Sequence, residues 1–283
     1  MVTWHINSRT TTMIKNVLQY VAAFVLALLP FFPITENFFP PNALIDYQTF
    51  PHYILICSIV ILFGLLLAFF IKAKNTNNST AWFILAIGAV AIFPLHLGAP
   101  RENVNLLTFA SIEKFRYAML IIAVLFLAAS SFKLIAPLKS NALRCITILL
   151  VIITALLNLW DNFSSYMFSH EMQNWVDEGK NADSFFPQFD FNMTWRTLAR
   201  ISLYLSAIIL GFVAVKKILI KKWQFFTFTL FCTIGITFCL LFLLKGFDYY
   251  FPFMVPAIAL APTYWIGIAM ISKKVTLPER PTD

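Results

Sequence analysis

Charge is scarce in this chain. Asp, Glu, Lys and Arg make up 12% of its 283 residues, about half the share found in a soluble domain. The scarcity is uneven. No Asp, Glu, Lys, Arg or His stands near the middle of any long apolar run. An ionisable group at mid-bilayer is costly and usually functional, so its absence argues against proton-coupled transport, voltage sensing and an intramembrane metal or bis-histidine haem centre. The four cysteines (Cys57, Cys145, Cys232 and Cys239) form no CxxC pair and all lie in apolar runs, where they are expected as small core residues.

Motifs are equally scarce. There is no histidine box, no Gly-x-Ser-x-Gly, and no pair of acids within the apolar runs. Glu36 and Asp46, in the first outer connection, stand too far apart to define a family. His52, His96 and His170 come from separate connections without ligand-type spacing, so no metal site and no cofactor are expected. No internal repeat or low-complexity linker divides residues 1–283, which read as a single transmembrane domain. No motif names a reaction, and whether the chain is an enzyme stays open at this stage.

What the chain has is hydrocarbon. It is 60% hydrophobic, and the apolar residues fall into eight runs, near 17–33, 53–71, 81–98, 117–137, 143–160, 197–215, 223–244 and 251–272. About 20 apolar residues in a helix cross the roughly 30 Å core of a bilayer. The runs are continuous rather than alternating, which excludes a β-barrel. The fold class expected is therefore all-α: a polytopic membrane bundle of about eight transmembrane helices. The first run follows Arg9 and Lys15 but has no small-x-small cleavage site, so it reads as a retained span.

The connections sort by charge. The N-terminus, every second connection and the C-terminal tail together carry 14 basic residues and two acids. The other connections carry seven basic residues and 11 acids. Lysine and arginine collect on the cytoplasmic side, so both termini are expected there, in the plasma (inner) membrane. The basic excess then faces anionic lipid and implies no nucleic acid. Trp82 and Trp223 fall near inner span ends and Trp160 and Trp195 near outer ones, as headgroup-level rings should. Trp265 lies deeper and is expected to pack on a neighbouring helix. Pro256 and Pro262 are expected to kink the last span. Gly88, Ala89, Ala91, Gly211 and Ala214 are expected to allow close helix approach.

The stretch from Asp161 to Arg200 holds six of the 13 acids. Its 161–196 portion reads as a cap on the outer face. Residues 164–179 have the pattern of an amphipathic surface helix ended by Gly179, followed by a phenylalanine-rich segment pressed onto the bundle or a partner. Asn162 and Asn192 fit glycosylation acceptor patterns in this loop. Arg196 and Arg200 are spaced to share a helix face, and Arg116 approaches them if the fourth and sixth spans are neighbours. With Lys245 they are candidates for binding a phosphate or lipid headgroup, because guanidinium groups grip phosphate in a planar fork. Asp161, His170 and Glu171 are the candidate acids or bases. The competing expectation is that the arginines pair with Asp161, Glu102 and Glu113 to close the bundle top.

The function expected first is a non-catalytic multi-pass subunit or binding protein that holds a partner protein or lipid through its outer loop and apolar belt. The alternatives are an enzyme acting at the outer interface on a lipid-linked phosphate, and a passive pore lined by serines and threonines. The partners expected are membrane lipids and a membrane protein or a second copy of the chain.

Overall fold

A computed structural model describes residues 8–28, 50–71, 110–136, 138–181, 184–185, 193–246, 253 and 256–272. Among them the secondary structure is helical, with no strand. The helices are α1 (Ser8–Leu28), α2 (Phe50–Ile71), α3 (Ala110–Ile135), α4 (Asn141–Asp177), α5 (Met193–Lys216), α6 (Lys222–Lys245) and α7 (Pro256–Ser272). The third apolar run, 81–98, lies outside the described residues. So do Glu36, Asp46, Trp82, Gly88, His96, Arg101, Glu102, Asn192 and the lysines beyond Ser272.

Four helices, α3 to α6, are long and apolar enough to cross a membrane, and Met13–Leu28, Cys57–Ile71 and Ile258–Ser272 are shorter apolar helices. Their outward faces remain hydrocarbon. Phe24, Leu62, Phe69, Leu156, Phe226 and Leu244 are all exposed. Only 22% of the apolar window of α4 and of α6 is buried, against 61% for α5. An apolar exterior of that extent is stable only against lipid or another apolar partner, which makes the chain a membrane protein by class.

Helix α5 is the hub. It packs against α4, α6 and α7 and touches α3, while α1 and α2 pair at the margin. Small residues let it approach its neighbours. A Cβ on Gly211 would stand 3.0 Å from Phe225 of α6. Gly235 of α6 faces back onto Tyr204, whose ring atoms would lie 2.5–2.7 Å from an added Cβ. Tyr204 is fully buried, and its hydroxyl donates to the Phe253 carbonyl at 3.1 Å. Gly211 thus serves the close approach expected of it, and Gly235 does the same without having stood out in the sequence.

The largest departure from expectation is α4. The fifth apolar run and the surface helix expected at 164–179 are one uninterrupted helix of 37 residues, about 55 Å long. Ser140 caps its start, its Oγ accepting from the Leu143 N–H. Its end is Gly179, at φ +67°: the Gly179 N–H bonds the Val176 carbonyl and the Lys180 N–H the Trp175 carbonyl, the paired bonds of a left-handed C-terminal cap. No break falls at Asp161, because the polar residues beyond the apolar run continue the buried face. Thr147, Val151, Thr154, Asn158, Asp161, Ser165, Ser169 and Met172 recur every three to four residues and are buried. That stripe packs on α3 and α5 for most of its length.

Three smaller corrections follow. Pro256 opens α7 at its first position, where a missing N–H costs nothing, so only Pro262 is interior. Cys145 is exposed near the start of α4, whereas Cys57, Cys232 and Cys239 are buried as expected. Asn162 lies inside α4 at 1% exposure rather than in a loop, and a buried helical asparagine is closed to glycosylation.

The helix ends fall on common levels. Gln19 of α1 donates to the Phe70 carbonyl at the end of α2. Lys217, just past α5, donates to the Leu134 carbonyl at the end of α3. Tyr20, Lys221 and Ser272 border one groove. The C-terminal ends of α2, α3, α5 and α7 therefore share the lysine-rich end of the bundle.

Candidate functional site

The ionisable side chains converge at the opposite end, between α3, α4 and α5. Asp161 is the centre. Arg200 Nη2 donates to its Oδ2 at 2.7 Å, and Arg196 Nε donates to its Oδ1 at 3.3 Å. One carboxylate thus receives two guanidinium groups, one on each oxygen. The i, i+4 spacing on α5 makes this possible by placing both arginines on one face, toward α4. Arg200 is fully buried and Asp161 nearly so, so both charges are turned into the protein and face each other there.

The polar neighbours complete the cluster. Arg196 Nη2 donates to Ser165 Oγ at 2.7 Å and to the Tyr117 hydroxyl of α3 at 3.4 Å. Arg200 Nη1 donates to Asn158 Oδ1 at 3.1 Å. The Asn158 amide in turn donates to the Thr154 carbonyl at 2.8 Å, the Ala199 carbonyl at 3.1 Å and Ser202 Oγ at 3.4 Å. One turn deeper, the Thr154 and Ser206 hydroxyls lie 2.7 Å apart and Thr154 donates to the Ser202 carbonyl. The seam at Ser131, Thr154 and Ser206 leaves no room for a water molecule. A polar ladder therefore runs down the α4–α5 interface, and its members are satisfied within the protein, as a low-dielectric interior demands.

The remaining candidates fall elsewhere. Arg116 is buried and pairs with Glu113, one turn back on α3, rather than with the α5 arginines; Tyr117 is the α3 residue that reaches them. His170 and Glu171 lie about 14 Å further along α4 than Asp161. His170 Nδ1 is 3.3 Å from Lys114 Nζ, while Glu171 is exposed. Lys245 is exposed at the end of α6, which packs chiefly on α5 and α7. His52 belongs to the first turn of α2. Among the described residues no three His, Cys, Asp or Glu side chains gather to hold a metal ion. Of the seven residues singled out in the sequence, three meet: Asp161, Arg196 and Arg200.

The far end of α4 has its own closure. Phe185 is fully buried against Ala110 and Met172, with its ring edge-on to Phe168 at 5.4 Å and Trp175 at 5.6 Å. At Phe185 the phenylalanine-rich segment therefore packs on its own protein. Ser111 donates to Gln173 at 2.6 Å and holds α3 to α4 beside it. Sequence reasoning missed Asn158, Ser165 and Tyr117. The first two were legible as members of the three-to-four-residue polar stripe, but that stripe crosses the boundary at which the apolar run ends.

Compared with protein-family models, with curated proteins and with solved structures, the chain matches none.

Proposed function

We propose that this protein is a non-catalytic multi-pass membrane component that holds lipid or a membrane partner through its apolar belt. The observation that carries this reading is the commitment of Asp161. Each oxygen of this buried carboxylate is held by a guanidinium group, so the side chain serves to join α4 to α5. The cluster clamps α4 to α5, while the groove at the lysine-rich end is lined mainly by hydrocarbon. Purification in a mild detergent, followed by mass spectrometry of whatever stays bound, tests it. A stoichiometric lipid or membrane protein is expected. A stable monomer stripped of both would overturn the reading.

The reading includes eight crossings with both termini cytoplasmic. Two things support it: α2 and α3 end on the same side, and the sequence between them contains the apolar run 81–98. The lysine-rich end then faces the cytoplasm.

One observation favours a second reading, an enzyme working at the outer interface on a lipid-linked phosphate. Two arginines on one aspartate leave the cluster with an excess positive charge, and Asn162 beside it buries an amide oxygen that meets no donor among the described residues. This reading expects Arg196→Ala to insert and fold but to lose turnover of a lipid-linked phosphate. Undiminished turnover in that variant would remove it.

A further inference from the structure

A large concave feature lies at the lysine-rich end, where α1, α6 and α7 diverge. It is a laterally open groove of about 830 Å³. Its walls are mainly apolar, interrupted by Gln224 and Thr227, with Ala23, Ala27 and Ala269 providing the width. Trp265 closes the inner end: its indole N–H donates to the Ala27 carbonyl at 2.8 Å, and its ring packs on Phe228 and Phe231 of α6. Tyr20, Lys221 and Ser272 stand at the mouth. From Tyr20 to Leu28 the groove follows α1 for about 12 Å. One leaflet of a bilayer has about 15 Å of hydrocarbon.

That depth selects the occupant. A partner's transmembrane helix needs a face running the full 30 Å or so of the core, and this groove stops at Trp265. An acyl chain of the adjoining leaflet fits the depth and the wall chemistry. The mouth selects the headgroup. The turn from Lys216 to Lys222 has four lysines and no acid. Lys216 lies over the Phe212 ring and Lys217 donates to the Leu134 carbonyl, so these two are turned toward the protein. Lys221 borders the groove, Lys222 follows it in the chain and is exposed, and Trp223 lines the same groove with an exposed indole. We infer that the groove between α1, α6 and α7 binds one anionic phospholipid, with an acyl chain against Ala23, Ala27 and Ala269 and the phosphate at Lys221 and Lys222. The inference rests on the lipid-holding reading above and names its site and its ligand class.

Native mass spectrometry of the full chain in detergent tests it, with dioleoyl phosphatidylglycerol and dioleoyl phosphatidylcholine added in turn. The wild type should retain one phosphatidylglycerol, with a preference over phosphatidylcholine of about thirtyfold, the sum expected from two lysines at an anionic surface. Lys221→Gln with Lys222→Gln should still bind lipid but lose most of that preference. Ala23→Phe should fill the groove and lose the retained lipid. If folded Ala23→Phe binds as the wild type does, the groove is not the site, while the lipid-holding reading survives. If the wild type retains neither lipid, the groove proposal falls, and if no membrane protein stays bound either, so does the reading it rests on. A lipid-free dimer would assign the groove to a second copy and overturn the proposal. Should Ala23→Phe not fold, the lysine variant decides, and an unchanged preference overturns the proposal.

Discussion

At the scale of single residues, burial separates two arginines that look alike in the sequence. The Arg200 side chain is 1% exposed and the Arg196 side chain 16%. Arg200 bridges Asn158 and Asp161 with separate nitrogens, which a lysine ammonium cannot copy in the same planar geometry. Arg200→Lys should therefore lower the melting temperature in detergent more than Arg196→Lys does. Removing the shared carboxylate should cost most. Asp161→Ala leaves the buried Arg200 and the partly buried Arg196 without their counter-charge, and a loss of about 3–5 kcal/mol is expected. Combining Asp161→Ala with Arg200→Ala should cost less than the two separate losses added together, because each single change strands the other charge. Strict additivity would mean that the pair does not interact as drawn.

At the scale of helices, glycine decides two features. Gly235 exists so that α6 can rest on the Tyr204 ring. Gly235→Ala puts a methyl group into a fully buried ring, and overpacking of that kind costs about 1–3 kcal/mol. The loss should be relieved by Tyr204→Leu in the same chain, read as a partial recovery of melting temperature. Gly179 ends α4 from the left-handed region, with open space around it. Gly179→Ala should cost about 1–2 kcal/mol, felt locally. Faster hydrogen exchange over residues 174–180 with an unchanged bundle is the expected signature. The apolar runs behind these helices were legible because lipid demands continuous hydrocarbon. The length of α4 was not, because a polar residue inside a helix reads as its end until its partners are known.

At the scale of the whole molecule, thiol chemistry reads both packing and sidedness. Cys145 is exposed at the lysine-rich end, while Cys57, Cys232 and Cys239 are buried. A maleimide should label Cys145 alone in the folded protein. A membrane-impermeant maleimide should reach it in inverted vesicles but not in intact cells. Lys180, half exposed beyond the end of α4, is the matching site on the other face. Lys180→Cys should label from outside, and labelling from the cytoplasm would reverse the orientation of every helix.

The sequence alone determined the solvent of this protein. Runs of about 20 apolar residues leave no choice but hydrocarbon, and the sorting of charge between connections fixed an expected direction of insertion. It also announced where ionisable groups would collect, because each lies near a run's end. Only the tertiary structure decided what they do there. Asp161 and Arg200 stand 39 residues apart, and nothing local says that α4 continues past the aspartate and brings it against α5. A hydropathy pattern records the cost of each residue in lipid, one position at a time. A buried ion cluster is a property of three helices at once, and so is a groove with lysines at its mouth.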